Sequence, residues 1–195
     1  MMKHLKWIVP VALVALILGN AAGAYNKFVD GDVLVDQEWS QVETQYQRRF
    51  DLIPNLVQTV KGVADFEQGT LVAVTEARAA ALGAMKQVSQ TGDVESFERS
   101  NMVFGSALRG LMGYAENYPE LKANKSFQDL QVQLEGTENR ITTARTRYNE
   151  AVASYNRSIR RFPGRLWAAA FGFEPRDAFE AAAGAESAPK VDFGS

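Results

Sequence analysis

Cysteine is absent from this chain, and histidine occurs once, as His4. The first absence excludes a disulfide framework, a thiolate metal site, a cysteine nucleophile and a lipid-modified N-terminal cysteine. The second leaves no histidine for a catalytic triad or a zinc site beyond the first few residues. The Glu-x-x-His pairs that a di-metal site in a helical bundle uses are missing for the same reason. No stretch sustains a period-two alternation of apolar and polar residues, so nothing reads as a strand. Positive charge is also scarce, with 21 Lys and Arg against 23 Asp and Glu, and 19 against 23 once residues 1–24 are set aside. A mildly acidic domain is a poor partner for nucleic acid.

What is present begins with an export signal. Lys3 and Lys6 precede a run from Trp7 to Ala24 that carries no charge and is densest from Ile8 to Leu18. Ala22-Gly23-Ala24 has the small-x-small pattern of a signal-peptidase site, which would release a periplasmic or secreted product. The same run is long enough for a short membrane span, and an uncleaved single-pass anchor through residues 7–24 is the expected outcome. The basic residues lie before the run and only Lys27 follows it until Arg48, which places the amino terminus in the cytoplasm and the rest outside.

With 195 residues and 46% hydrophobic content, one globular domain beyond the targeting segment is expected. Apolar residues at Trp39, Val42, Tyr46, Ile53, Leu56, Val60 and Val63 step by three and four, with Arg49 in the one missing place. Gln68-Gly69-Thr70 interrupts this stripe, and a second runs from Leu71 to Met85 before the turn residues Gln90 to Asp93. A third follows from Phe97 to Tyr118 and stops at Pro119. Lys122 to Ser126 reads as a polar connection with Ser126 as N-cap. The fourth stripe, Phe127 to Phe162, is the longest and ends at Pro163-Gly164. Short connections predict an all-α, elongated, antiparallel up-down four-helix bundle over residues 25–180, closed by a short aromatic segment. Residues 181–195, rich in alanine, glycine and acid, read as a mobile tail.

Several segments resemble the LemA family: Arg48 to Val57, Thr75-Glu76-Ala77-Arg78, Tyr118 to Asn124, Thr137 to Ile141, Arg147-Tyr148-Asn149, Tyr155-Asn156 and the terminal Pro189-Lys190-Val191-Asp192-Phe193. The resemblance runs from about Tyr25 to Phe193. It implies an N-terminal membrane segment, a helical bundle and no established enzymatic activity.

Polar residues in or beside the apolar stripes are the most informative side chains. Arg49, Arg78 and Asn101 fall at or near core places, and Arg145, Asn149 and Asn156 form a stripe beside the core face of the fourth helix. Buried polar groups need partners, so these six, with Glu76 and Glu138, are expected to form a paired network that fixes helix register, with a polar pocket or partner surface as the alternative. Glu76 and Glu138 are also the one carboxylate pair that a hydrolase reading could use. Pro54 removes the helical hydrogen bond to the carbonyl of Phe50 and should kink or locally open the first helix so that it follows the bundle, with a hinge or ligand notch as the alternative. Gly105, Gly110 and Gly113 suggest close packing of the third. In an up-down bundle the fourth helix returns to the membrane, so Trp167, Phe171 and Phe173, beside Arg165, either lie at the interface near Tyr25 to Val29 or fold back to cap the core. No cofactor, metal or catalytic group is indicated. The function expected is a non-enzymatic scaffold of the bacterial envelope that engages other envelope proteins or itself, with lipid binding or membrane shaping as the alternative.

Overall fold

A computed structural model describes residues 2–63 and 68–180. The expectation for 181–195, and the Pro189–Phe193 motif, lie outside the described residues. The described chain is all helical apart from turns and one terminal extended segment: α1 (Met2–Val63), α2 (Gln68–Thr91), α3 (Val94–Ala115), α4 (Pro119–Ala123), α5 (Lys125–Arg160) and α6 (Gly164–Phe171).

The apolar run and the first amphipathic stripe belong to one helix of 62 residues. Small residues at Ala22 to Ala24 mark a boundary in composition, but alanine does not break a helix and one glycine costs only about 1 kcal/mol. From Ile8 to Leu18 the large apolar side chains of α1 are exposed, whereas Phe28, Val35, Trp39, Val42, Tyr46, Phe50, Ile53, Leu56 and Val60 are buried. The core seam therefore passes through Phe50. Arg49 flanks it, which corrects the expected placing of the arginine in the seam itself.

The core gathers the apolar faces of α1, α2, α3 and α5. α1 packs most extensively on α5, and the pair is antiparallel: Arg49 meets Glu138, while Gly31 approaches Tyr155. α2 returns along α1, with Trp39 Nε1–H donating to Ser89 Oγ (3.2 Å) and Arg78 reaching Phe50. The α2–α3 turn uses Gly92 at φ 73°, a left-handed conformation suited to glycine. Asp93 then caps α3 by accepting from the Ser96 amide at 2.8 Å.

Four local expectations are corrected. Gln68-Gly69-Thr70 opens α2 instead of separating it from α1. Pro119 begins the short α4, since a proline at the first helical position loses no hydrogen bond. Asn124, not Ser126, caps α5, its Oδ1 accepting from the Phe127 amide at 3.1 Å. Among the described residues, a Cβ added at Gly110 or Gly113 would meet nothing within 4 Å, so close packing there does not account for those glycines.

Candidate functional site: a strapped groove on α5

After α6 the chain turns at Gly172 (φ 77°) and runs back along α5 as an extended strap, residues 173–180. The α5 side chains hold it by its main chain. Tyr155 Oη donates to the Glu174 carbonyl (3.0 Å), and Tyr148 Oη to that of Asp177 (2.8 Å). Asn156 both donates to the Arg176 carbonyl (2.8 Å) and accepts from the Arg176 amide (2.9 Å). Asn149 does the same at Phe179, at 3.0 and 2.9 Å. The spacing matches because seven residues of helix and three of extended chain each cover about 10 Å. Burial pushes the Tyr148 phenol up to about 12; Arg176 pulls against this and Asp177 and Asp36 add to it. The phenol thus stays a donor at ordinary pH.

Two side chains lock the strap. Arg176 forms a fork with α1, Nε donating to Asp32 Oδ1 at 2.9 Å and Nη2 to Asp36. Phe179 is buried among Trp39, Phe97 and Tyr148, with ring centroids 5.4 to 6.3 Å away. The Arg145 guanidinium lies 4.3 Å from the Phe179 centroid and pairs with Glu98 of α3. Glu98 Oε2 in turn accepts from the Glu180 amide. Between strap, α1 and the α2–α3 turn lies a cavity of about 280 Å³, lined by Asp36, Trp39, Ser89, Tyr148, Arg176 and Asp177 among others.

The residues expected to form one network are divided among separate places. Arg49 is 12% exposed in its side chain, bonds Glu138 at 2.7 Å and lies 5.3 Å from the Phe104 centroid. Arg78 does not pair with Glu76, which is exposed on α2. Its Nε instead donates to the Phe50 carbonyl at 2.7 Å, and its Nη2 is 3.9 Å from Asp51. That carbonyl is the acceptor which Pro54 leaves without its helical donor. α1 runs through Pro54 as one helix. Asn101 donates to Tyr46 Oη at 3.4 Å. Arg145, Asn149 and Asn156 serve the strap. Glu98, Asp32, Asp36, Arg176 and Phe179 belong to the site although no motif or apolar stripe marks them in the sequence. Because the Glu138 side chain is 56% exposed, removing Arg49 leaves a hydrated carboxylate and strands no buried charge. Arg49→Ala is therefore expected to cost about 1–2 kcal/mol in urea unfolding, mostly from the contact with Phe104. A loss near zero would remove the pair from the account of stability.

At the other end, Trp167 Nε1–H donates to Asn20 Oδ1 at 2.9 Å, and Phe171 and Phe173 meet the Tyr25 ring edge to face. Phe173 also packs on Phe28. Leu166 and Phe171 stay exposed. No group of three or more His, Asp or Glu side chains among the described residues is placed to hold a metal ion.

Residues 38–193 match the LemA family. Magnetosome proteins MamQ 1 and MamQ 2 of Paramagnetospirillum magneticum are each 24% identical over 196 residues, covering 91% of this chain and 72% of theirs. Magnetosome protein MamQ of Magnetospirillum gryphiswaldense is 26% identical over 169 residues, or 77% of this chain and 62% of its own length.

Proposed function

Since this chain belongs to the LemA family, we propose that it is a membrane-anchored, non-enzymatic helical scaffold of the bacterial envelope, an up-down four-helix bundle held outside the cytoplasm. The observation that carries this reading is the continuity of α1. One helix contains both the exposed apolar run, long and apolar enough to cross a membrane, and the seam on which the other long helices pack. A span that is rigidly part of the fold suits a protein that positions a surface at a fixed height above a bilayer. The similarity to proteins named for the magnetosome supports work at a particular cellular structure; the magnetosome itself is a property of those relatives. Within this reading Arg49, Arg78 and Asn101 set helix register, and the α5 face carrying the strap is the surface that meets partners.

Orientation is testable directly, because the chain has no cysteine of its own. Gln90, at the exposed end of α2, is replaced by cysteine and intact cells are treated with a membrane-impermeant maleimide. Labelling without lysis is expected. Labelling that appears only after every membrane is opened reverses the topology.

A second reading, contact of α6 with the bilayer surface, has its own support in the exposed Leu166 and Phe171 beside Arg165, next to the apolar run of α1. A chain with Trp7 and Trp39 changed to phenylalanine leaves Trp167 as the only tryptophan. Reconstituted in vesicles, its emission should be quenched by lipids brominated near the headgroup. Emission indifferent to brominated lipid would leave α6 as a cap on the core.

A further inference from the structure

The groove on α5 recognises its occupant in a way that does not depend on most of the occupant's side chains. Tyr148, Asn149, Tyr155 and Asn156 address main-chain groups of residues 174, 176, 177 and 179. Side-chain selection occurs at two points, the Asp32–Asp36 fork that takes a basic group and the aromatic pocket that takes Phe179. Pro175 precedes them, and proline biases its neighbour Glu174 toward the extended backbone the groove needs. The groove is thus built for a Pro-basic-x-x-Phe segment.

The sequence carries that pattern twice. Of six prolines, only Pro175 and Pro189 are followed by a basic residue, Arg176 and Lys190, and both have phenylalanine four places on, Phe179 and Phe193. In this register Val191 and Asp192 stand for Asp177 and Ala178. Groove contacts at position 177 use the carbonyl, which valine also has, and Ala178 is exposed.

We propose that the α5 groove is a peptide-recognition site for extended Pro-basic-x-x-Phe segments, and that Pro189–Phe193 is its second ligand, exchanging with Pro175–Phe179 in the same chain. The same-chain source follows from linkage: both segments follow α6 in one chain, and a tethered competitor acts at an effective concentration that a free one rarely reaches. Arginine forks to two carboxylates where lysine offers a single point charge, so the first segment is the preferred occupant. Exchange releases Glu174 to Glu180 as an acidic loop beside α6. The proposal is independent of which side of a membrane the helices occupy.

The test uses the full chain in detergent micelles, with the photoreactive p-benzoylphenylalanine in place of Phe193, and maps its cross-links by mass spectrometry. Attachment to peptides bearing Trp39, Phe97 or Tyr148 is expected. Arg176→Glu, which sets a carboxylate against Asp32 and Asp36, should raise the yield roughly tenfold, the equivalent of one charge-assisted hydrogen bond. Adding Lys190→Glu should return it to background. Circular dichroism establishes that each variant keeps its helices, and Arg176→Gln replaces Arg176→Glu if that variant does not. Cross-links from position 193 that avoid the pocket in the natural chain and in both Arg176 variants overturn the proposal. So does attachment found only between differently tagged chains in a mixed sample.

Discussion

Phe179→Ala is expected to lower the stability of the folded chain by about 3–5 kcal/mol, the range for deleting a fully buried aromatic ring. The ring is 4% exposed and joins three elements: Trp39 on α1, Phe97 on α3 and Tyr148 on α5. It also lies under the Arg145 guanidinium, so its loss leaves Glu98 and Arg145 facing an open pocket. Urea unfolding followed by circular dichroism measures the change. Limited proteolysis tells where it acts, since a detached strap should become cleavable after Arg176 while α1 and α5 remain resistant. Asn149→Ala breaks two main-chain bonds at the same residue and is the matched control. Its effect combined with Phe179→Ala should fall short of the sum, because each change releases the same segment. An ordinary surface value of about 0.5 kcal/mol or less for Phe179→Ala would show that the strap does not contribute to the fold.

Gly164→Ala should have the next largest effect, about 1–3 kcal/mol or more. A Cβ at this position would press into the carbonyl oxygen of Ser158 and stand 3.4 Å from Cζ of Phe28. The carbonyl belongs to the last turns of α5 and cannot rotate away as a side-chain tip would. The crowding falls where α5 ends, α6 begins and α1 passes. Gly62→Ala, on α1 where no atom of the described residues lies within 4 Å of the added carbon, is the control and should be neutral or slightly stabilising. Thermal melts of the two variants side by side decide the matter; equal midpoints would mean that α6 yields without cost.

The helices were legible because burial imposes a period that side chains display. Phe127, Leu130, Leu134, Ile141, Tyr148, Val152, Tyr155 and Ile159 are all buried, as their spacing indicates. The strap was not legible for the opposite reason. Asn149 and Asn156 stood out as a polar stripe, but their partners are main-chain groups of Arg176 and Phe179, and a backbone amide leaves no mark in composition. Charge alone misdirected the pairing of Arg78. Glu76 is two residues away and exposed, whereas the acceptor is a carbonyl on α1, freed by a proline 24 residues earlier in sequence than the arginine. Membership in the LemA family was readable from motif order; of those motif residues on α5, Thr137, Ile141 and Tyr148 are buried and Asn149 holds the strap.

The unbroken course of α1 makes the molecule a lever. From Tyr25 to Val63 the helix extends about 60 Å, with no joint between it and the apolar run. If the apolar run spans a bilayer as proposed, a tilt of about 20° would displace the far end of an arm of that length laterally by roughly 20 Å. The α1–α2 end would then move most and α6, beside Asn20 and Tyr25 near the pivot, least. Any change of tilt at the base of the helix would thus become a change of position at the distal tip.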